Sequence, residues 1–99
     1  MIIAIDLDGT LTKEDVGHKH YNRSTPDYEA IEKINILHSL GHIIIIHTAR
    51  RTLDMEITIR QLKKWGIKYD SLVMDKLIAD LYIDNDSAKL IDLKKEDLK

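Results

Sequence analysis

Two short apolar runs, Met1-Ile2-Ile3-Ala4-Ile5 and Ile43-Ile44-Ile45-Ile46, constrain this chain more than any other feature of its sequence. Both are too short for a buried helix, rich in β-branched residues and free of polar alternation. That is the pattern of a parallel strand covered on both faces, and it predicts the first strand over residues 2–7 and the second over 43–47. Between them Ala30, Ile31, Ile34, Leu37 and Leu40 recur at helical spacing. Thr25-Pro26 reads as an N-cap followed by proline at the first helical position, and Gly41 as the stop. A helix over residues 26–40 between two such strands makes a right-handed β-α-β unit.

The rest of the chain extends the alternation. Residues 12–23 are polar, with Gly17, His18 and His20, and read as a long irregular connection of the kind that often carries function. A second helix over 53–65 sets Met55, Ile59 and Leu62 on one side and stops at Gly66. A weaker strand follows over 69–74, and a fourth over 79–83, where Leu81 and Ile83 alternate against Tyr82. Residues 87–99 read as a charged amphipathic helix with Leu90 and Leu93 inward. The expected fold is therefore α/β: one small Rossmann-like open parallel sheet flanked by helices, with residues 1–99 forming a single domain. A chain of 99 residues can bury roughly 60 to 70% of its unfolded surface in one core but has no room for a second.

Composition narrows the function classes. With 17 acidic and 15 basic residues the formal charge is -2, so no global field favours nucleic acid or an anionic membrane. There is no cysteine, which excludes disulfides and thiolate metal sites and suits a reducing compartment. No run approaches the roughly 18 apolar residues of a membrane span. The expectation is a cytoplasmic protein.

In open α/β sheets ligands sit beyond the carboxyl ends of the strands. Asp6, Asp8, Thr48, Lys76 and Asp84 all fall at or just after such ends. Taken singly each has an ordinary explanation: Asp8-Gly9 as a turn, Thr48 as a strand-end threonine, Lys76 as a solvated lysine. Taken together, Asp6-Leu7-Asp8-Gly9-Thr10, Thr48, Lys76 and the acids after Tyr82-Ile83 resemble the haloacid dehalogenase-like phosphatase superfamily. The run from Gly41 through Thr48-Ala49-Arg50-Arg51 to Asp84 is most similar to its small capless members. Among those are sugar-pathway phosphatases of capsule and lipopolysaccharide synthesis and polynucleotide 3′-phosphatase domains.

That resemblance implies a phosphate monoester hydrolase. Asp6 would be the nucleophile that forms an aspartyl-phosphate, and Asp8 the general acid and then base. Thr48 and Lys76 would bind the phosphoryl oxygens, joined by Arg50 and Arg51, which directly follow the phosphate-binding strand end. Clustered carboxylates facing a phosphate need a cation, since like charges about 4 Å apart repel by roughly 4 kcal/mol at an effective dielectric of 20. An all-oxygen site suits Mg²⁺, held by Asp6, Asp84 and the backbone carbonyl of Asp8. Many relatives carry two adjacent acids where this chain has Asp84-Asn85-Asp86, so either Asp86 takes over the second acid's task or no residue does.

No interval between the motifs is long enough for a cap domain. An uncapped site implies a large phosphorylated substrate, such as a polymer end, or a second subunit of a homo-oligomer closing over it. A phosphorylated sugar is the favoured substrate and nucleic acid the less favoured one. Two other classes compete: a non-catalytic Mg²⁺ and phosphate-binding module, and a receiver-like signalling domain. The second is disfavoured because receivers carry their phosphoacceptor on a middle strand. His18-Lys19-His20 reads as a solvated flap rather than a metal pair, and His47 as a core histidine.

Overall fold

A computed structural model describes residues 1–79 of the chain. Strand β1 covers Ile2–Ile5 and β2 covers Ile43–His47, and they pair in parallel with Ile2 opposite Ile43 and Ile5 opposite Ile46. Strand β3 is shorter, Ser71–Val73, and pairs in parallel with the other side of β2, giving the order β1-β2-β3. Helix α1 spans Tyr28–Ser39 and α2 spans Met55–Lys64. The open parallel sheet flanked by helices matches the fold expected from the sequence. The expected fourth strand and last helix, and with them Asp84 and Asp86, fall on residues outside those described.

Helix α1 starts two residues later than Thr25-Pro26 suggests. Its cap is Asp27, whose carboxylate accepts a hydrogen bond from the Ala30 N–H at 3.2 Å. The preceding residues are held extended instead: Lys13 N–H bonds Thr25 O, Asp27 N–H bonds Leu11 O, and Pro26 forms an antiparallel bridge with Thr12. Both helices end in the same way. His42 N–H reaches back to Leu37 O and Gly41 N–H to His38 O, while Ile67 and Gly66 do the same to Leu62 and Lys63. These are Schellman closures, and they require the positive φ of +93° at Gly41 and +69° at Gly66.

The core sits on one face of the sheet. Ile44 and Ile46, alternate residues of β2, cluster with Ile31 and Ile34 of α1, with Leu62 of α2, and with Trp65. Leu7 and Leu11 close the cluster beneath the turn after β1. A sequential strand order joined by right-handed crossovers brings both helices to the same side, as observed. Sequence alone predicted cover on both faces; among the described residues only one is covered, and Ile2 and Ile43 on the other are exposed.

Helix α2 departs further from its apolar pattern. Met55 and Ile59, expected to face inward with Leu62, are 40% and 45% exposed, and the buried face is instead Thr58, Gln61 and Leu62. The first turn is a separate 3-10 segment, Thr52–Asp54, pinned by Asp75, whose carboxylate accepts from the Thr52 N–H and hydroxyl. The long connection before α1 is also not wholly irregular, since His18–Arg23 forms 3-10 turns.

Candidate active site

The chain leaves β1 into a tight turn in which Leu7 O accepts the N–H groups of Thr10, Leu11 and Thr12. Gly9 holds φ at +78°, where a side chain would be strained, and its N–H bonds the Thr12 hydroxyl at 2.9 Å. This turn sets Asp6 and Asp8 at the carboxyl end of the sheet, where they line a cleft of roughly 500 Å³ with Thr48 and Arg51. Another hollow, of about 360 Å³, lies beside α1 and Trp65. Among the described residues its one carboxylate is Glu32.

Asp6 is half-buried, and one of its oxygens accepts the Leu7 N–H at 2.9 Å. Among the described residues its other oxygen accepts nothing, leaving it open to the cleft. The Asp8 main-chain carbonyl likewise accepts no hydrogen bond from a described residue.

Asp8 is held quite differently. Its two side-chain oxygens take a bidentate bond from Arg50, Nε at 2.9 Å and Nη2 at 2.8 Å. Each oxygen keeps a further lone pair for proton transfer. Arg50 is 0% exposed. Its remaining nitrogen donates to Thr58 Oγ1 at 3.1 Å and Gln61 Oε1 at 2.7 Å, and the Tyr21 ring lies over the guanidinium at 4.1 Å. This corrects the expectation that Arg50 is an anion binder at the rim. A guanidinium that has lost its water must be satisfied from every side, and Asp8, Thr58, Gln61 and Tyr21 do so.

Thr48 is buried, and its hydroxyl oxygen accepts the Arg50 N–H at 3.2 Å. Its hydroxyl proton is given to no described residue, and Thr48 lines the cleft. Lys76 stands beside it: its N–H bonds Thr48 O at 2.9 Å, and its ammonium has no hydrogen bond or ion pair to a described residue. Asp75, at φ 59°, makes this approach by bonding its N–H to Arg50 O. Arg51 is exposed, lines the cleft and stands 3.9 Å from Asp75. His18 lines the cleft and His47 is half-buried in β2.

The sequence resemblance implies a divalent cation here. Among the described residues no three His, Cys, Asp or Glu side chains converge on one point. Two oxygens on this turn take no hydrogen bond from a described residue, the second Asp6 carboxylate oxygen and the Asp8 carbonyl. Both are hard oxygen donors, and this pair fits Mg²⁺.

A family model described as haloacid dehalogenase-like hydrolase matches residues 3–96. The chain belongs to the haloacid dehalogenase-like hydrolases. Within that family's fold it is similar to a structural target protein from Vibrio cholerae, with a TM-score of 0.67 and 26% identity over 99% of this chain and 94% of that one. It is also similar to a chain of the Pnkp1/Rnl/Hen1 complex, with a TM-score of 0.66 and 26% identity over 80% of this chain and 30% of that one. A search of curated proteins returned no match. Hydrolase activity is thus the family's activity, and among the described residues no helix is long and apolar enough to cross a membrane.

Tyr21, Thr58, Gln61 and Asp75 were not legible as site residues. The signal was present only on α2, where the positions three and four apart on the Leu62 face are Thr58, Gln61 and Trp65. A polar pair inside an inward stripe marks a buried polar partner.

Proposed function

We propose that the chain is a Mg²⁺-dependent phosphomonoesterase acting through an aspartyl-phosphate, with a phosphorylated sugar as substrate. The observation that carries this reading is the contrast between two carboxylates on one turn. Asp6 keeps an oxygen open to the cleft, as a nucleophile must, whereas Asp8 is oriented by a buried bidentate arginine, as an acid and base must be.

Asp6 attacks phosphorus while the bond to the leaving oxygen breaks, and Asp8 gives that oxygen its proton. Water then attacks the aspartyl-phosphate, Asp8 takes the water's proton, and the Asp6 carboxylate is restored as inorganic phosphate departs. Thr48 donates to a phosphoryl oxygen, and the Lys76 ammonium and Arg51 meet its charge. Asp6, the Asp8 carbonyl and Asp84 would hold Mg²⁺, and the ion would supply positive charge to offset the phosphate and the carboxylates around it. Residues 1–99 act as one uncapped core domain in the cytoplasm. The open cleft leaves room for a large substrate or for a second copy of the chain.

Phosphate release from sugar phosphates, nucleotides and 3′-phosphorylated oligonucleotides, with Mg²⁺ and with EDTA, tests this directly. Mg²⁺-dependent release that disappears in Asp6→Asn is expected. Absence of turnover on the whole panel at millimolar Mg²⁺ would leave a phosphate-binding module in its place. For the last motif, Asp84→Ala should abolish activity, while Asp86→Ala should only raise the Mg²⁺ requirement.

A further inference from the structure

The cleft is larger than a phosphate needs. At roughly 500 Å³ it falls within the range of about 300 to 1,000 Å³ typical of sites that enclose a whole small molecule. Besides Asp6 and Thr48 its lining includes Tyr21, Asp15, Asp54, His18 and Leu53, and none of these serves the reaction described above.

Tyr21 is held with unusual care for a residue of a short 3-10 segment. Gln61 Nε2 donates to its carbonyl at 2.6 Å, Ser24 N–H donates to the same oxygen at 3.1 Å, and one ring face is taken by Arg50. The ring is half-buried and lines the cleft, and its hydroxyl has no hydrogen bond to a described residue. Arg50 thus ties this ring and the Asp8 carboxylate to one rigid group. Two carboxylates that line the same cleft as the ring, Asp15 and Asp54, decide what chemistry fits. They repel a second phosphate but accept hydrogen bonds from hydroxyl groups.

We propose that Tyr21, with Asp15 and Asp54, seats the neutral polyhydroxylated ring of a sugar monophosphate, the aromatic face taking the C–H side of the sugar and the carboxylates its hydroxyls. The inference rests on the sugar-phosphatase reading above and deepens it by assigning the leaving-group subsite. The tyrosine stays a neutral donor there, because burial and the nearby Asp8 carboxylate push its phenol up from the ordinary value, against the lowering effect of Arg50. Tyr21 is a specificity residue that touches substrate, and Gln61 is a positioning residue that acts through it.

The test is a binding experiment in the Asp6→Asn background, where turnover cannot interfere. Isothermal titration calorimetry gives Kd for a cyclic sugar monophosphate and for inorganic phosphate, with Mg²⁺ present, in Asp6→Asn alone and combined with Tyr21→Leu or Tyr21→Phe. Tyr21→Leu should weaken the sugar phosphate at least about tenfold more than it weakens phosphate, the size expected when a specific aromatic contact is lost. Tyr21→Phe, which keeps the ring and its place on Arg50, should retain most of that selectivity. Thermal melts establish that each variant is folded. If both ligands weaken by the same factor in Tyr21→Leu, the ring only supports Arg50 and the assignment fails. Tighter binding of a 3′-phosphorylated oligonucleotide than of any sugar phosphate also overturns it. Failure of turnover in the parent, with the selective loss of sugar binding intact, would sink the phosphatase reading but not the subsite.

Discussion

Asp6 and Asp8 are two residues apart in sequence and have opposite surroundings, so substitutions at each should separate activity from stability. Among the described residues Asp6 has one hydrogen bond, to a neighbouring N–H, and Asp6→Asn keeps the shape of that acceptor. The variant should melt within a few degrees of the parent while losing all phosphate release, read by calorimetry and a phosphate assay on one sample. Arg50 is the reverse case. Replacing it by Met strands Asp8, Thr58 and Gln61 without a donor and should cost about 3 to 5 kcal/mol, the range for a buried ion pair broken on one side. Adding Asp8→Asn to Arg50→Met should recover part of that loss in urea melts, since the stranded charge is then gone. Should the double variant prove less stable than Arg50→Met, the pair is not the unit described here. Tyr21 adds a pH signature. Its folded-state value is raised, so the folded protein keeps a proton that the unfolded chain releases above about pH 10. Its contribution is complete below that pH and is lost as pH rises through the folded value. The parent should therefore lose more stability than Tyr21→Phe as pH rises above about 10.

At the scale of elements, α2 gives the sharpest contrast between pattern and packing. Ile59 and Leu62 are both apolar residues of one helix, yet Leu62 is fully buried and Ile59 is half-exposed. Leu62→Ala should cost about 2 to 5 kcal/mol by lost burial and cavity formation, and Ile59→Ala no more than about 1 kcal/mol. Equal losses in denaturant would restore the face read from sequence. For α1, Asp27→Ala should cost about 0.5 to 2 kcal/mol through the lost cap, and Thr25→Ala clearly less. The sequence error at this helix has a definite origin. Thr25-Pro26 is a good helix start by local preference, but the Lys13 and Leu11 backbone bonds hold those residues against the turn after β1. Tertiary pairing outweighed a cap worth about 1 kcal/mol.

For the whole molecule, the carboxyl ends of β1 and β2 meet at one cleft lined by Asp6, Asp8 and Thr48, and the segment after β3 bonds its Lys76 N–H to the Thr48 carbonyl there. If Mg²⁺ is held there, millimolar Mg²⁺ should raise the melting temperature over EDTA, since a ligand at a hundredfold excess over Kd adds about 2.7 kcal/mol. The rise should vanish in Asp6→Ala, and identical melts in the parent would count against a metal at this site. The strand periods, the turn at Asp8-Gly9 and the glycine stops at Gly41 and Gly66 were legible in the sequence, because each depends on residues only a few positions apart. So was the placing of Asp6, Thr48 and Lys76 at strand ends, which follows from parallel topology alone. What the sequence could not decide is where a long side chain turns when two directions are open. Arg50 and Arg51 are identical neighbours after β2, yet one is buried on Asp8 and the other lines the cleft. That choice depends on Thr58 and Gln61, 8 and 11 residues away, and on Tyr21, which reaches the same guanidinium from the other side of the sequence. A desolvated charge goes where the most partners meet it, and only the tertiary structure brings those partners together.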